Sequence, residues 1–139
     1  MNISIIGTGN MGRAIATRAA TGHHEIQVVD RDRGHAEALA QELQQVIPAS
    51  KVVKGFTTVF AGTLVAGEVA GEKLDVFLAA DDAEAKDAVA TLVESAGMRA
   101  IDAGPLKRAH QLEGLGFLHM AVQGQLGNTW STAVKIIGA

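Results

Sequence analysis

The segment Gly7-Thr8-Gly9-Asn10-Met11-Gly12 restricts this chain more than any other feature. It follows the apolar run Ile3-Ser4-Ile5-Ile6 directly and precedes a stretch with helical periodicity. The run reads as a strand buried on both faces. From Asn10 onward, Met11, Ala14, Ile15, Arg18 and Ala19 recur at helical spacing, and Gly22 closes that helix. A G-x-G-x-x-G string alone is weak evidence, because ordinary turns between strand and helix also use glycine. Between a strand and a helix each glycine has a task. Gly7 permits the tight turn, Gly9 lets a pyrophosphate reach the backbone, and Gly12 lets helix and strand pack closely. The free N–H groups and the positive end of the helix dipole then favour phosphate. Asp30, at the end of the second strand, lies near the usual distance of about 20 residues for an acidic group that holds a ribose.

The remaining chain continues the alternation. Glu25 to Asp30 is a second strand, and Asp32 caps a helix with the stripe Ala36, Leu39, Ala40, Leu43, Val46 and Ile47, ended by Pro48. Lys51 to Phe56 reads as a third strand. Thr57 to Gly71 is a loop with at most one helical turn. Leu74 to Ala79 is a strand. Asp81 and Glu84 fit a capping box for a helix through Val89, Leu92 and Val93, stopped by Gly97. Arg99 to Ala103 is the fifth strand. A longer helix follows Pro105 with Leu106, Leu112, Leu115 and Leu118, and a shorter one runs from Asn128 past Trp130 to Ile137. Strands alternating with helices predict an α/β fold, Rossmann-like, with a mostly parallel sheet of about five strands and C-terminal helices. With 139 residues and no break in composition, residues 1–139 form one expected domain.

Composition narrows the function. There is no cysteine, which removes disulfides, thiolate metal sites and cysteine nucleophiles, and suits a cytoplasmic protein. A net charge of -3 argues against a nucleic-acid or anionic-membrane surface. No apolar run approaches a membrane span, and no targeting segment precedes the first strand. His23 and His24 fall in a turn. His110 and His119 lie on a helical stretch without ligands at metal spacing, so they read as packing residues, with His119 able to line a pocket. Asp81 and Asp82 read as caps, and the serines show no nucleophile-elbow context. No catalytic or metal residue is therefore assigned.

Two cofactor signals oppose each other after the second strand. Asp30 would accept from a free ribose 2′-hydroxyl, favouring NAD, whereas Arg31, Arg33 and His35 would surround a 2′-phosphate, favouring NADP.

The opening Met1 to Gly12 resembles that of the NADPH-dependent oxidoreductases of the deazaflavin coenzyme F420. The likeness resumes at Lys51-Val52-Val53-Lys54-Gly55-Phe56 and Phe60-Ala61-Gly62-Thr63-Leu64-Val65. It continues at Asp75-Val76-Phe77-Leu78-Ala79, Asp102-Ala103-Gly104-Pro105-Leu106, Leu115-Gly116-Phe117-Leu118-His119-Met120 and Leu126-Gly127-Asn128-Thr129-Trp130. It covers nearly the whole chain, with two departures. Members of that family carry several tens of residues where Gln44 to Ser50 here joins the two sides, and an asparagine where Thr57 stands. The resemblance implies NADP, with NAD as the alternative, and coenzyme F420 as co-substrate. It puts Gly7, Thr8, Gly9, Asn10, Met11 and Gly12 on the pyrophosphate and Asp30 and Arg31 on the adenosine ribose. Phe56, Thr57 and Thr58 fall beside the reacting rings. The implied activity is hydride transfer between NADPH and a deazaflavin or another small acceptor. The shortened centre leaves two other readings open, a non-redox tailoring enzyme (an isomerase or cyclase) or a nucleotide-binding module. It also leaves apolar helix surface uncovered, so the chain is expected to form a homodimer around Leu118, Val122 and Trp130.

Overall fold

The computed structural model describes residues 2–6, 9–22, 25–29 and 51–138. Strand β1 (Asn2–Ile6) leads into helix α1 (Asn10–Thr21), which returns the chain to β2 (Glu25–Val29). The two strands pair in parallel from Asn2↔Glu25 to Ile6↔Val29, forming the expected β-α-β unit. Predicted helix Asp32–Ile47 lies outside the described residues.

The second half is built on β5 (Asp75–Ala79) and β6 (Arg99–Gly104), parallel neighbours joined through helix α3 (Ala83–Ser95). Every residue from Leu74 to Ala80 is buried, as an apolar run covered on both faces requires. On one face Val76 and Leu78 pack with Val93, Met98, Leu64, Leu74 and Ala14, which brings α3, α1 and α2 (Ala61–Ala66) onto a single cluster. On the other face Phe77 and Ala79 meet Leu112 of helix α4 (Ala109–Ala121), together with Val134 from the C-terminal segment. Burying each such Leu or Val contributes about 1.5–3 kcal/mol. Beside the first of these clusters, against which Val69 packs, β3 (Glu68–Val69) and β4 (Glu72–Lys73) form a small antiparallel hairpin. Its turn residues Ala70 and Gly71 have φ of 54° and 79°, the left-handed pair that tight hairpins prefer.

Thr57 to Gly71, expected as a loop with at most one helical turn, holds α2 and β3, and three further expectations change. Predicted strand Lys51–Phe56 is reduced to one antiparallel bridge, with Lys54 and Ala79 exchanging bonds of 2.8 and 2.9 Å. Phe56, at φ 60°, turns the chain before a ladder can extend. Among the described residues the parallel pairing therefore occurs as two pairs, β1–β2 and β5–β6, and not as one sheet of five strands. Residues 128–137 form no helix. Asn128 and Trp130 sit at φ 55° and 51°, and the segment returns without regular structure to Lys73 and Asp75. Long-range bonds replace the helical ones: the Ile136 N–H donates to Asp75 Oδ2 at 2.8 Å, and Lys135 Nζ to the Lys73 carbonyl at 2.9 Å.

Helix capping also differs in detail. Asp82, not Asp81, caps α3, accepting from the Ala85 N–H at 2.9 Å. Asp81 instead accepts from the Leu106 N–H at 2.9 Å and ties the start of the α4 segment to the end of β5. A 3-10 turn, Leu106–Arg108, precedes α4 and another, Val122–Gly124, follows it. The buried stripe of that helical stretch is Leu112, Gly116, His119 and Gln123, while Leu118 of the predicted leucine stripe faces outward.

Candidate functional site

Gly9 is exposed and α1 begins at the next residue, so the strand-turn-helix context required of the glycine motif is present. A Cβ built at Gly9 would meet nothing within 4 Å, which leaves the space that a pyrophosphate would fill. The first turn of α1 carries no acidic side chain, so nothing of like charge opposes a phosphate at this positive helix end. Asn10 is exposed, and Met11 and Gly12 are half-buried. These residues fit a dinucleotide phosphate. Gly7, Thr8, Asp30 and Arg31 lie outside the described residues.

Helix α1 is held from its far end by Arg18, whose guanidinium donates to the Ala96 carbonyl at the end of α3. The same side chain lies against Gly67, the left-handed residue (φ 77°) that ends α2. Two helix C-termini, each negative by its dipole, thus converge on one cation.

The second predicted region, Phe56-Thr57-Thr58, is a turn packed between the core and α4. Phe56 and Met11 both pack against the first apolar cluster. A phenylalanine at φ 60° is strained by about 1–3 kcal/mol and persists only where its surroundings enforce it. Among the described residues the buried Thr57 hydroxyl has no hydrogen-bond partner, at the position that the resemblance puts beside the reacting rings. Thr58 is buried, and its carbonyl faces His119.

His119 is the residue that sequence reasoning undervalued. It is 7% exposed, its Nδ1 is 3.1 Å from the Thr58 carbonyl and its Nε2 is 2.8 Å from Thr132 Oγ1. Gln123 Nε2 donates to Thr132 Oγ1 and to the His119 carbonyl, both at 2.9 Å. Phe60 stacks on the imidazole with ring centroids 4.3 Å apart, and Trp130 meets Phe60 edge-on at 5.1 Å. The sequence signal was a single polar residue inside an apolar helix; its partners come from segments far along the chain.

The carboxylates near the strand ends are engaged in structure. Asp102 takes bonds of 2.7 Å from both Lys86 Nζ and the Gly104 N–H, which hold its carboxyl below the usual range. Asp82 is lowered by Lys51 and by the Ala85 N–H. Burial pushes Asp75 upward, but bonds from Arg99 (2.8 and 2.6 Å) and the Ile136 N–H, with Lys135 nearby, more than offset it. All three favour the ionised form and serve as anchors, a poor disposition for proton donation. Among the described residues no group of three or more His, Asp or Glu is arranged to hold a metal ion. An open hollow of about 590 Å³ lies over the second face of β5–β6, with Phe77, Ile101, Leu112 and Ile136 as apolar lining and Asp102, Arg108 and Gln111 as polar groups. That volume lies within the range of small-molecule sites.

A family model described as NADP oxidoreductase, coenzyme F420-dependent, matches residues 2–103. The metalloreductase STEAP3 of Rattus norvegicus is 32% identical over 81 residues, covering 58% of this chain and 16% of that protein. The chain thus spans less than a fifth of the curated relative it matches. Among solved structures, a candidate F420-dependent NADP-reductase from Arthrobacter sp. FB24 superposes with a TM-score of 0.78 at 23% identity, over 96% of this chain and 98% of that one. A hypothetical protein from Sinorhizobium meliloti follows at 0.59 and 20% identity, over 77% and 86%. These two likenesses support the α/β, Rossmann-like fold with a parallel sheet and C-terminal helices. No helix among the described residues is long and apolar enough to cross a membrane.

Proposed function

Because the chain belongs to the NADP oxidoreductase, coenzyme F420-dependent, family, we propose that it moves hydride between NADPH and a deazaflavin or another small acceptor. The observation that carries this reading is the open space at Gly9, at the head of α1. NADPH would supply the hydride. The chain would bind, orient and shield it. Gly7 to Gly12 hold the pyrophosphate, and Asp30 and Arg31 hold the adenosine ribose and its 2′-phosphate. Phe56, Thr57 and Thr58 border the reacting rings, where the orphaned Thr57 hydroxyl is available to a carboxamide or ring carbonyl. Such a transfer needs positioning and exclusion of water more than a protein acid or base, in keeping with Asp75, Asp82 and Asp102, which are tied to structural partners. The reading places the chain in the cytoplasm as a homodimer. In that dimer the outward residues of α4, Phe117 and Leu118 (69% and 59% exposed), together with Trp130, form the contact.

The test is calorimetric titration with NADPH, NADH and oxidised coenzyme F420, followed by stopped-flow absorbance of NADPH with the deazaflavin. Tight NADPH binding with loss of deazaflavin absorbance is the expected result. Nucleotide binding with no reduction of any acceptor would leave a binding module, and no nucleotide binding at all would remove the proposal.

A further inference from the structure

We infer that His119 is a positioning residue that holds the Phe56–Thr58 turn in its strained, ring-facing form through an Nδ1–H bond to the Thr58 carbonyl. The inference rests on the reading of that turn as the border of the reacting rings.

Helix α4 grips the turn at two points one helical step apart. At Gly116 the helix approaches so closely that a Cβ would stand 2.6 Å from the Thr57 carbonyl oxygen. Three residues on, His119 meets the next carbonyl, that of Thr58, at 3.1 Å. The left-handed Phe56 immediately precedes these two clamped residues. A strained conformation requires enforcement from outside its own segment, and this double grip supplies it.

The bonds also settle which ring nitrogen carries the proton of the neutral imidazole. The Thr58 carbonyl is only an acceptor, so Nδ1 must donate to it. Nε2 is then an acceptor, and the Thr132 hydroxyl donates to it at 2.8 Å while accepting from Gln123 Nε2 at 2.9 Å. Every group in the chain Gln123–Thr132–His119–Thr58 has one consistent direction. Phe60, stacked on the ring, fixes its plane. The Thr58 carbonyl therefore fixes the tautomer, and Thr132 and Gln123 complete the chain of bonds on the far side of the ring.

Two substitutions separate the ends of this relay. The amide nitrogen of asparagine falls near the position of Nδ1, where it donates, and the amide oxygen of glutamine can take the place of Nε2, where it accepts. His119→Asn keeps the bond to the turn, and His119→Gln keeps only the link to Thr132. The expected result is turnover of His119→Asn within about threefold of the parent, and a loss of about tenfold or more in kcat for His119→Gln. The NADPH dissociation constant should change little in both, because the pyrophosphate grip is separate. Gly116→Ala, which must displace the Thr57 carbonyl, should repeat the kcat loss. Equal turnover in the two His119 variants, or the reverse order, would overturn the assignment. A readout independent of activity and of any variant is the ¹⁵N spectrum of the imidazole in the parent protein. It should show the Nδ1–H tautomer, and an Nε2–H tautomer would overturn the inference. If the parent protein reduces no acceptor while its His119 is Nδ1–H, the proposed reaction has failed and the clamp has not.

Discussion

At the scale of single residues, the strongest expectations concern Gly9, Arg31 and Asp75. Gly9→Val fills the open space at the head of α1 and should abolish NADPH binding while leaving the unfolding midpoint near its parent value. An unchanged nucleotide dissociation constant would make the glycine turn purely structural. Arg31→Ala should remove a charge-assisted bond worth about 1.5–3 kcal/mol, weakening NADPH by about tenfold or more and sparing NADH. Equal losses for both nucleotides would contradict its assignment to the 2′-phosphate. Asp75 is almost wholly buried, and its carboxyl lies below the ordinary value because the bonds from Arg99, Ile136 and Lys135 outweigh burial. Its stabilisation is therefore complete above the ordinary aspartate pKa of about 3.9 and is lost as pH falls through the lower folded value. Asp75→Asn should cost about 2–3 kcal/mol at neutral pH, somewhat less than a fully buried pair because Arg99 and Lys135 reach water. Urea unfolding of both proteins across the acid range should show that gap closing as pH falls below the ordinary aspartate value of about 3.9.

At the scale of elements, Gly67→Ala tests the junction of three helices. The residue ends α2 at φ 77° and its missing Cβ makes room for Arg18. The substitution should cost about 1–2 kcal/mol from the backbone alone, read by chemical denaturation, and more if Arg18 is driven from the end of α3. The elements show what was legible in the sequence and why. β1, α1, β5, α3 and β6 were readable because local signals agree: apolar runs bounded by glycine, helical spacing and a cap at the right place. Asp81 and Asp82 are adjacent candidates of the same chemistry, so only the contact between Asp81 and Leu106 decides which one caps. The segment after Asn128 has helical spacing. The buried Asp75 captures its Ile136 N–H, a pairing that no local window contains. Lys51–Phe56 has strand composition, yet a left-handed Phe56 ends it, and phenylalanine gives no local warning of that conformation. In the site, the strand and helix that flank the glycine motif were legible from the sequence. The role of His119 was not, because it depends on Thr58, Thr132 and Phe60 arriving from three directions.

At the scale of the whole molecule, the apolar character of α4 extends around its circumference. Its inner stripe holds Gly116, His119 and Leu112, while Phe117, Leu118 and Met120 are 69%, 59% and 49% exposed. Surface of that kind is normally covered by a partner. Light scattering at micromolar concentration should give twice the 14.4 kDa of one chain, and Leu118→Glu should return the monomer. A monomeric parent with full cofactor binding would remove the dimer from the proposal. The aromatic ladder within one subunit has a practical consequence of another sort. Trp130 is the sole tryptophan, there is no tyrosine, and its indole meets the Phe60 ring that lies on His119. Near-ultraviolet fluorescence of this protein is therefore the signal of one chromophore seated beside the clamp. Emission wavelength and anisotropy would follow the seating of the tail on the turn in real time, without a label.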